Sequence, residues 1–318
     1  MRATLIRNVL SIVALCATCV VADQPRVRIH TLVGHRNDVL AIAGAPDGKS
    51  IVSASENEVF VWRVVDGANT MRIVHPGWVT SVVITADGEH IVTGGADGVI
   101  RVWRFDNGGL VRTLVGHADF VVALANMPDG ERIVSGSFDG TIRVWRVADG
   151  QELKRIDTGA REVNALALLN DGTEVLSANN DGMIRLWNLK NGSLETTFVG
   201  HLGPVSSVAV VPETRFFVSG GADKTVRLWD KTQDTAVGVF EGHDDAVSAV
   251  AVTRDGRFIA SGSADATVRI WLIESGEEQA IMRGHTAWVR PTVITPDGAH
   301  IVSGGHDRTV VVWRSPPW

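Results

Sequence analysis

The 318-residue chain contains no tyrosine, although it holds ten tryptophans and nine phenylalanines. Nothing in the sequence accounts for that physically. Cysteine is almost as scarce: Cys16 and Cys19 are the two, and both lie in an apolar run near the N-terminus. Their C-x-x-C spacing fits a redox motif, but its place inside that run argues against redox or metal chemistry. Beyond residue 22 the absence of cysteine excludes disulfides and haem attachment through C-x-x-C-H. No stretch is long and apolar enough for a spanning helix, which takes ~20 residues. The longest such run, Val9–Val21, has 13. No block of like charge, low-complexity tract or long polar linker occurs. Also missing are H-E-x-x-H, G-x-S-x-G, a phosphate-cradling glycine loop and an EF-hand loop. No cofactor or metal is therefore expected, and the chain is read as a non-enzyme.

The leader is the first positive signal. Arg2 and Arg7 precede the apolar run, and Val20-Val21-Ala22 fits the small-residue pattern before a signal peptidase cut. Residues 1–22 are predicted to be a secretory signal peptide, leaving 23–318 as one domain in a periplasmic or extracellular compartment. A retained anchor and a cytosolic protein with an odd leader are the other readings. Without Arg2 and Arg7, 28 basic residues face 36 acidic ones, a balance of −8. That favours solubility and argues against nucleic acid or an anionic membrane surface as partner.

The rest of the chain repeats one unit, seen clearly at Gly116–Trp145. An apolar run, Val121–Ala125, is followed by Pro128-Asp129-Gly130, a second run from Ile133, the tight turn Phe138-Asp139-Gly140 and the run Thr141–Trp145. Asp-Gly between apolar runs is a hairpin signal. A fourth run, Glu152–Ile156, leads to the next unit. The closing Trp recurs at 62, 103, 145, 187, 229, 271 and 313, a period of 41 once and 42 otherwise. A fixed period of this size means a repeat architecture. Four short antiparallel strands per unit, with no helical period, imply an all-β ring of seven sheets. After Trp313 too little chain remains for a fourth strand, and Arg26–Leu32 is predicted to supply it and close the ring.

Gly-His followed by IVSGS-x-D-x-T-[IV]-R-[VL]-W resembles the WD40 (beta-transducin) repeat family, over Val27 to Trp313. The resemblance implies a seven-bladed β-propeller closed by its N-terminal strand, serving mostly as a binding platform. The name-giving Trp-Asp pair survives only at Trp229-Asp230. It also implies a hydrogen-bonded tetrad in each blade, matched by His117, Ser135, Asp139 and Trp145, by His201, Ser219, Asp223 and Trp229, by His243, Ser261, Asp265 and Trp271, and by His285, Ser303, Asp307 and Trp313. Blade one departs with Glu56 in place of Asp. In blade two, His75 precedes Pro76 and is read as out of frame. In blade four, Ala160 stands where His is expected. Four copies on separate blades speak for scaffolding rather than a Ser-His-Asp catalytic site.

By alignment the mouth of the central channel carries Leu40, Thr80, Val122, Asn164, Ser206, Ser248 and Arg290, with no carboxylate cluster for a metal. Seven of the ten Trp belong to the tetrads. Trp78 and Trp288 fall instead where the family's upper-face contacts concentrate. Laid around the ring, Trp288, Arg290, His306, Arg36, Asp38, Trp78, Phe120 and Phe138 form an arc over blades seven, one, two and three. Aromatic and Arg side chains are the composition of interface hot spots. The expectation is a protein or peptide partner docked on this arc. The alternatives are a structural component of an envelope assembly and, from another class, a channel-site hydrolase or small-ligand binder.

Overall fold

A computed structural model describes residues 28–315 apart from positions 161 and 170. The leader, the cut before Asp23, both cysteines and Trp318 lie outside the described residues. Among the described residues, twenty-eight strands, from Arg28–Val33 to Thr309–Arg314, form seven four-stranded sheets. All pairings are antiparallel and join strands adjacent in the chain, with one exception: Arg28–Val33 pairs with Thr309–Arg314. The first strand thus completes the sheet of the last blade; Arg26 and Val27 of the expected strand lie outside the described residues. Among the described residues no helix is long and apolar enough to cross a membrane.

Each core lies between blades. Val92, Ile100, Val102 and Leu114 of blade two pack on Val121, Ile133 and Trp145 of blade three, and six equivalent clusters complete the circle. The seventh is the seam, where Leu32, Val302, Val310 and Val312 meet Val39, Ile42, Ile51, Phe60 and Trp62. A sheet with two apolar faces needs a neighbour on each, and the ring provides both without a free face. Close approach explains the Ser-Gly pattern: a Cβ on Gly136 would fall 2.7 Å from Val163 of the next blade.

The two ends of the ring differ. Turns between strands one and two meet those between strands three and four, as in the bond from Val147 N to Glu131 O. The loops after each His and the turns between strands two and three form the other end. The inner strands present a bulge there. In blade two the register slips between Val79 and Ser81, leaving Thr80 unpaired; Val122, Asn164, Ser206 and Ser248 are its counterparts. In blade seven the slip spans Arg290 and Pro291. A bulge re-aims a side chain, and here it turns one residue per blade into the axis.

Candidate functional site

The tetrads are built as chains of donors. In blade three the Trp145 indole N–H donates to Ser135 Oγ at 2.8 Å, the Ser hydroxyl to His117 Nε2 at 2.7 Å, and His117 Nδ1 to Asp139 at 2.9 Å. Blades five, six and seven repeat these bonds. Burial works to raise the Asp139 carboxyl, but the Thr141 hydroxyl, the Ala118 amide and His117 outweigh it and hold it at about 2. Burial also holds His117 below the usual imidazole value, against the pull of Asp139. A neutral, buried imidazole tied at both nitrogens is a strut, with no nucleophile free beside it.

The three departing blades correct the sequence reading. His75 is in frame, 42 residues before His117, and its Nε2 accepts from Thr93 at 3.2 Å, while Nδ1 donates to Gly77 O at 2.7 Å. Asp97 turns instead to Arg101. In blade four the His position is Gly159, not Ala160: it lies 18 residues before Ser177, as His117 lies before Ser135. There the Ser177 hydroxyl donates to Asn179 Oδ1 at 3.0 Å. In blade one the turn is a residue shorter, and Glu56 makes no contact with His35. Ser55 Oγ meets His35 Nδ1 at 3.1 Å. Burial lowers His35 to about 4, with Glu58 pulling the other way.

The channel opens at the end that carries these loops and has a volume of about 460 Å³. Leu40, Thr80, Val122, Asn164, Ser206, Ser248 and Arg290 all line it, as the alignment places them. So do Phe138, Glu162, Asn180, Pro204 and Trp288 around the mouth. Arg290 and Glu162 are the charged residues of this lining.

The arc of predicted contact residues divides into parts. Across the seam, His306 Nδ1 lies 3.3 Å from Asp38, and the His306 ring packs on Trp288 at 4.7 Å between centroids. Arg290 lies close enough to feel the Asp38 charge but points into the channel. Arg36 stands exposed on the same loop as Asp38. Trp78 is 52% exposed and Trp288 39%, whereas the seven tetrad Trp are buried. Phe120 and Phe138 stack on each other at 5.8 Å and are half-buried, so on blade three the aromatics serve packing within the blade as well as the face.

Sequence reasoning missed Leu202, 86% exposed beside the mouth on blade five. Its signal was available: it follows the Gly-His histidine, where the other blades hold Arg36, Pro76, Ala118, Ala160, Asp244 and Thr286. Glu162 also lines the channel. Its backbone, at φ 62°, takes the left-handed region, a turn that no local pattern announces.

Comparison with known proteins matches the chain to the family described as WD domain, G-beta repeat, at residues 26–63, 69–104, 108–146, 150–188, 192–230, 234–271 and 276–314. Cilia- and flagella-associated protein 52 of Sus scrofa is 27% identical over 104 residues, 32% of this chain and 17% of that protein. An uncharacterized WD repeat-containing protein of Synechocystis sp. is 38% identical over 71 residues, covering 21% of this chain and 20% of that one. The 66 kDa stress protein of Physarum polycephalum is 40% identical over 79 residues, 23% and 12% of the two chains. The matched stretch is thus a fifth or less of each of these relatives.

Proposed function

The chain belongs to the WD40 family, whose propellers generally serve as protein-interaction scaffolds, and from that premise we propose that it binds a protein or peptide on the channel-mouth face and performs no chemistry of its own. The observation that carries this reading is the exposure of Trp78 and Trp288. Large aromatics on a water-facing loop give up hydrophobic burial unless a partner covers them. Leu202 is a separate exposed apolar side chain on blade five. The tetrads offer no competing activity, because each polar group in them is engaged.

The leader supports an exported protein, acting outside the cytoplasm. N-terminal sequencing of material from the envelope or medium is expected to read from Asp23, and a start at Met1 in the cytosol would sink that part of the reading.

Binding is tested with partners captured by the wild-type chain. Trp78→Ala and Trp288→Ala are each expected to weaken capture by about 2 kcal/mol, roughly thirtyfold, since central aromatics dominate interfaces. Melting temperatures are expected to stay nearly unchanged, and Ala246→Ser across the ring is expected to leave binding alone. Full-strength capture by both Trp variants would move the site off this face.

A further inference from the structure

The channel holds a cation that the fold does not use. Of the bulged residues, the polar ones in alternate blades bind the next blade's backbone. Thr80 Oγ1 donates to Val121 O at 2.7 Å and Asn164 Nδ2 to Val205 O at 3.0 Å, and the Ser248 hydroxyl donates to Val289 O. Arg290 occupies the corresponding place on blade seven. Among the described residues its guanidinium makes no hydrogen bond and no ion pair. Burial works against its charge, and the more distant Asp38 partly restores it. Pro291 widens the bulge by taking an N–H out of the ladder, which keeps the Arg290 side chain turned to the axis. A half-withdrawn, unpartnered guanidinium is costly, and its planar fork matches a carboxylate.

The rim narrows the choice of anion. The loops around the mouth carry exposed Asp119, Asp244 and Asp245 together with exposed Arg36, Lys224 and Arg308; Asp181 is paired with Arg185, and Glu162 lines the channel on blade four. Such a mixed rim offers no run of cations to hold a polyanion and tolerates one negative charge delivered among neutral or basic groups. Trp288 and Phe138 line the mouth beside the cation, giving apolar seats for the neighbours of the charged residue.

We propose that the channel mouth receives the carboxylate side chain of one Glu or Asp from a peptide laid across this face, with Arg290 gripping it in the channel and basic or apolar residues flanking it. This rests on the reading that the face binds a peptide, and it adds which residue the channel selects.

The test uses the isotopically labelled protein and the blocked peptide Ac-Lys-Leu-Glu-Leu-Lys-NH2. Its counterpart with Gln for Glu, the Gln peptide with a free C-terminal carboxylate, and inorganic phosphate are the other probes. The readouts are the Arg290 Nε–H and Trp288 indole N–H resonances. The Glu peptide is expected to shift both saturably and to bind at least tenfold more tightly than its Gln counterpart. Arg290→Met is expected to bring that ratio near one with the melting temperature held, and Arg290→Lys to leave a reduced preference. Equal binding of the Glu and Gln peptides, an undiminished preference in Arg290→Met, or no response to any probe would overturn the assignment. Tighter binding of the free C-terminus or of phosphate would overturn it too, in favour of another anion. Loss of partner capture in the Trp78 and Trp288 variants is measured separately. If it holds while the Arg290 arm fails, the face binds its partner without using the channel.

Discussion

Pro76 has no amide hydrogen, and that missing donor separates Asp97 from its tetrad. In blades three, five, six and seven the residue after the His donates its amide to the turn Asp, at 3.0 Å from Ala118 and 3.1 Å from Leu202. With proline in that place Asp97 keeps no such bond and closes on Arg101 instead. In blade four the cause differs: Gly159 at the His position offers no imidazole, the Ala160 amide donates to Thr158 Oγ1 at 3.3 Å, and Asp181 closes on Arg185. The turn aspartates are therefore unequal. Asp223 ties the Leu202 amide, His201, Thr225 and Arg227 together, so Asp223→Ala is expected to cost roughly 1–3 kcal/mol by stranding buried donors. Asp181→Ala removes a pair at the solvent-exposed turn and is expected to cost within about 1 kcal/mol. Urea unfolding of the two variants compares them directly. Equal losses would mean that the tetrads add nothing special. Glu56→Asp is expected to leave stability alone, because Ser55 already holds His35.

Among the elements, the first strand has the largest consequence. Arg28–Val33 is the outer strand of blade seven, paired from Val33 opposite Thr309 to Arg28 opposite Trp313. It buries Leu32 in the seam cluster with Phe60 and Trp62. A chain beginning at Gly34 leaves Thr309–Arg314 as a bare apolar edge and opens the seam next to Asp38 and His306. It is expected to aggregate, or to melt far below the full chain. Melting within a degree or two of the full chain would show that the strand is dispensable. The outer strands carry another recurrent device: in all seven blades the register slips opposite the Trp, leaving one extra residue on the outer strand, Leu153 in blade three and Ile29 in blade seven. The slip lies beside the Trp whose indole reaches Ser135, and a Gly in the Gly-His pair is required because a Cβ on Gly116 would stand 2.9 Å from that ring.

Across the whole molecule, six buried histidines respond to pH together. His35, His75, His117, His201, His243 and His285 all sit below the ordinary imidazole value, chiefly through burial, His35 at about 4. Unfolded imidazoles titrate near 6.5. Below about pH 6.5 the unfolded chain binds protons that the folded chain refuses, so this stability is full above about pH 6.5 and falls with pH below it, for His35 down to about 4. Asp139, Asp223 and Asp265, at about 2, add a second loss once the pH passes below the unfolded carboxylate value of about 3.9. The melting temperature is expected to be level above pH 7, to decline from pH 6.5 and to steepen below pH 4. A profile flat to pH 5 would contradict the buried neutral imidazoles.

The strands, their turns and the number of blades were legible in the sequence because they rest on local rules. Alternation sets which face is apolar, Pro-Asp-Gly and Asp-Gly set the turns, and a 42-residue period stacks identical units. The channel-lining positions came from alignment with the family, and in blades two to seven they are the bulged residues. Errors arose where one substitution moved a hydrogen bond without changing the pattern: Pro76, Gly159 and the shortened turn at Ser55 to Glu58. The tertiary structure alone decided which groups meet at the mouth. Asp38 and His306 lie at opposite ends of the repeat array and come within 3.3 Å only because the ring closes. Closure likewise gathers seven channel-facing residues around one axis, where Thr80, Asn164 and Ser248 bind a neighbouring blade and Arg290 does not. Local sequence fixes each blade's hydrogen-bonding capacity, but whether a given donor finds an acceptor depends on the adjacent blade, and for blade seven that neighbour is the first.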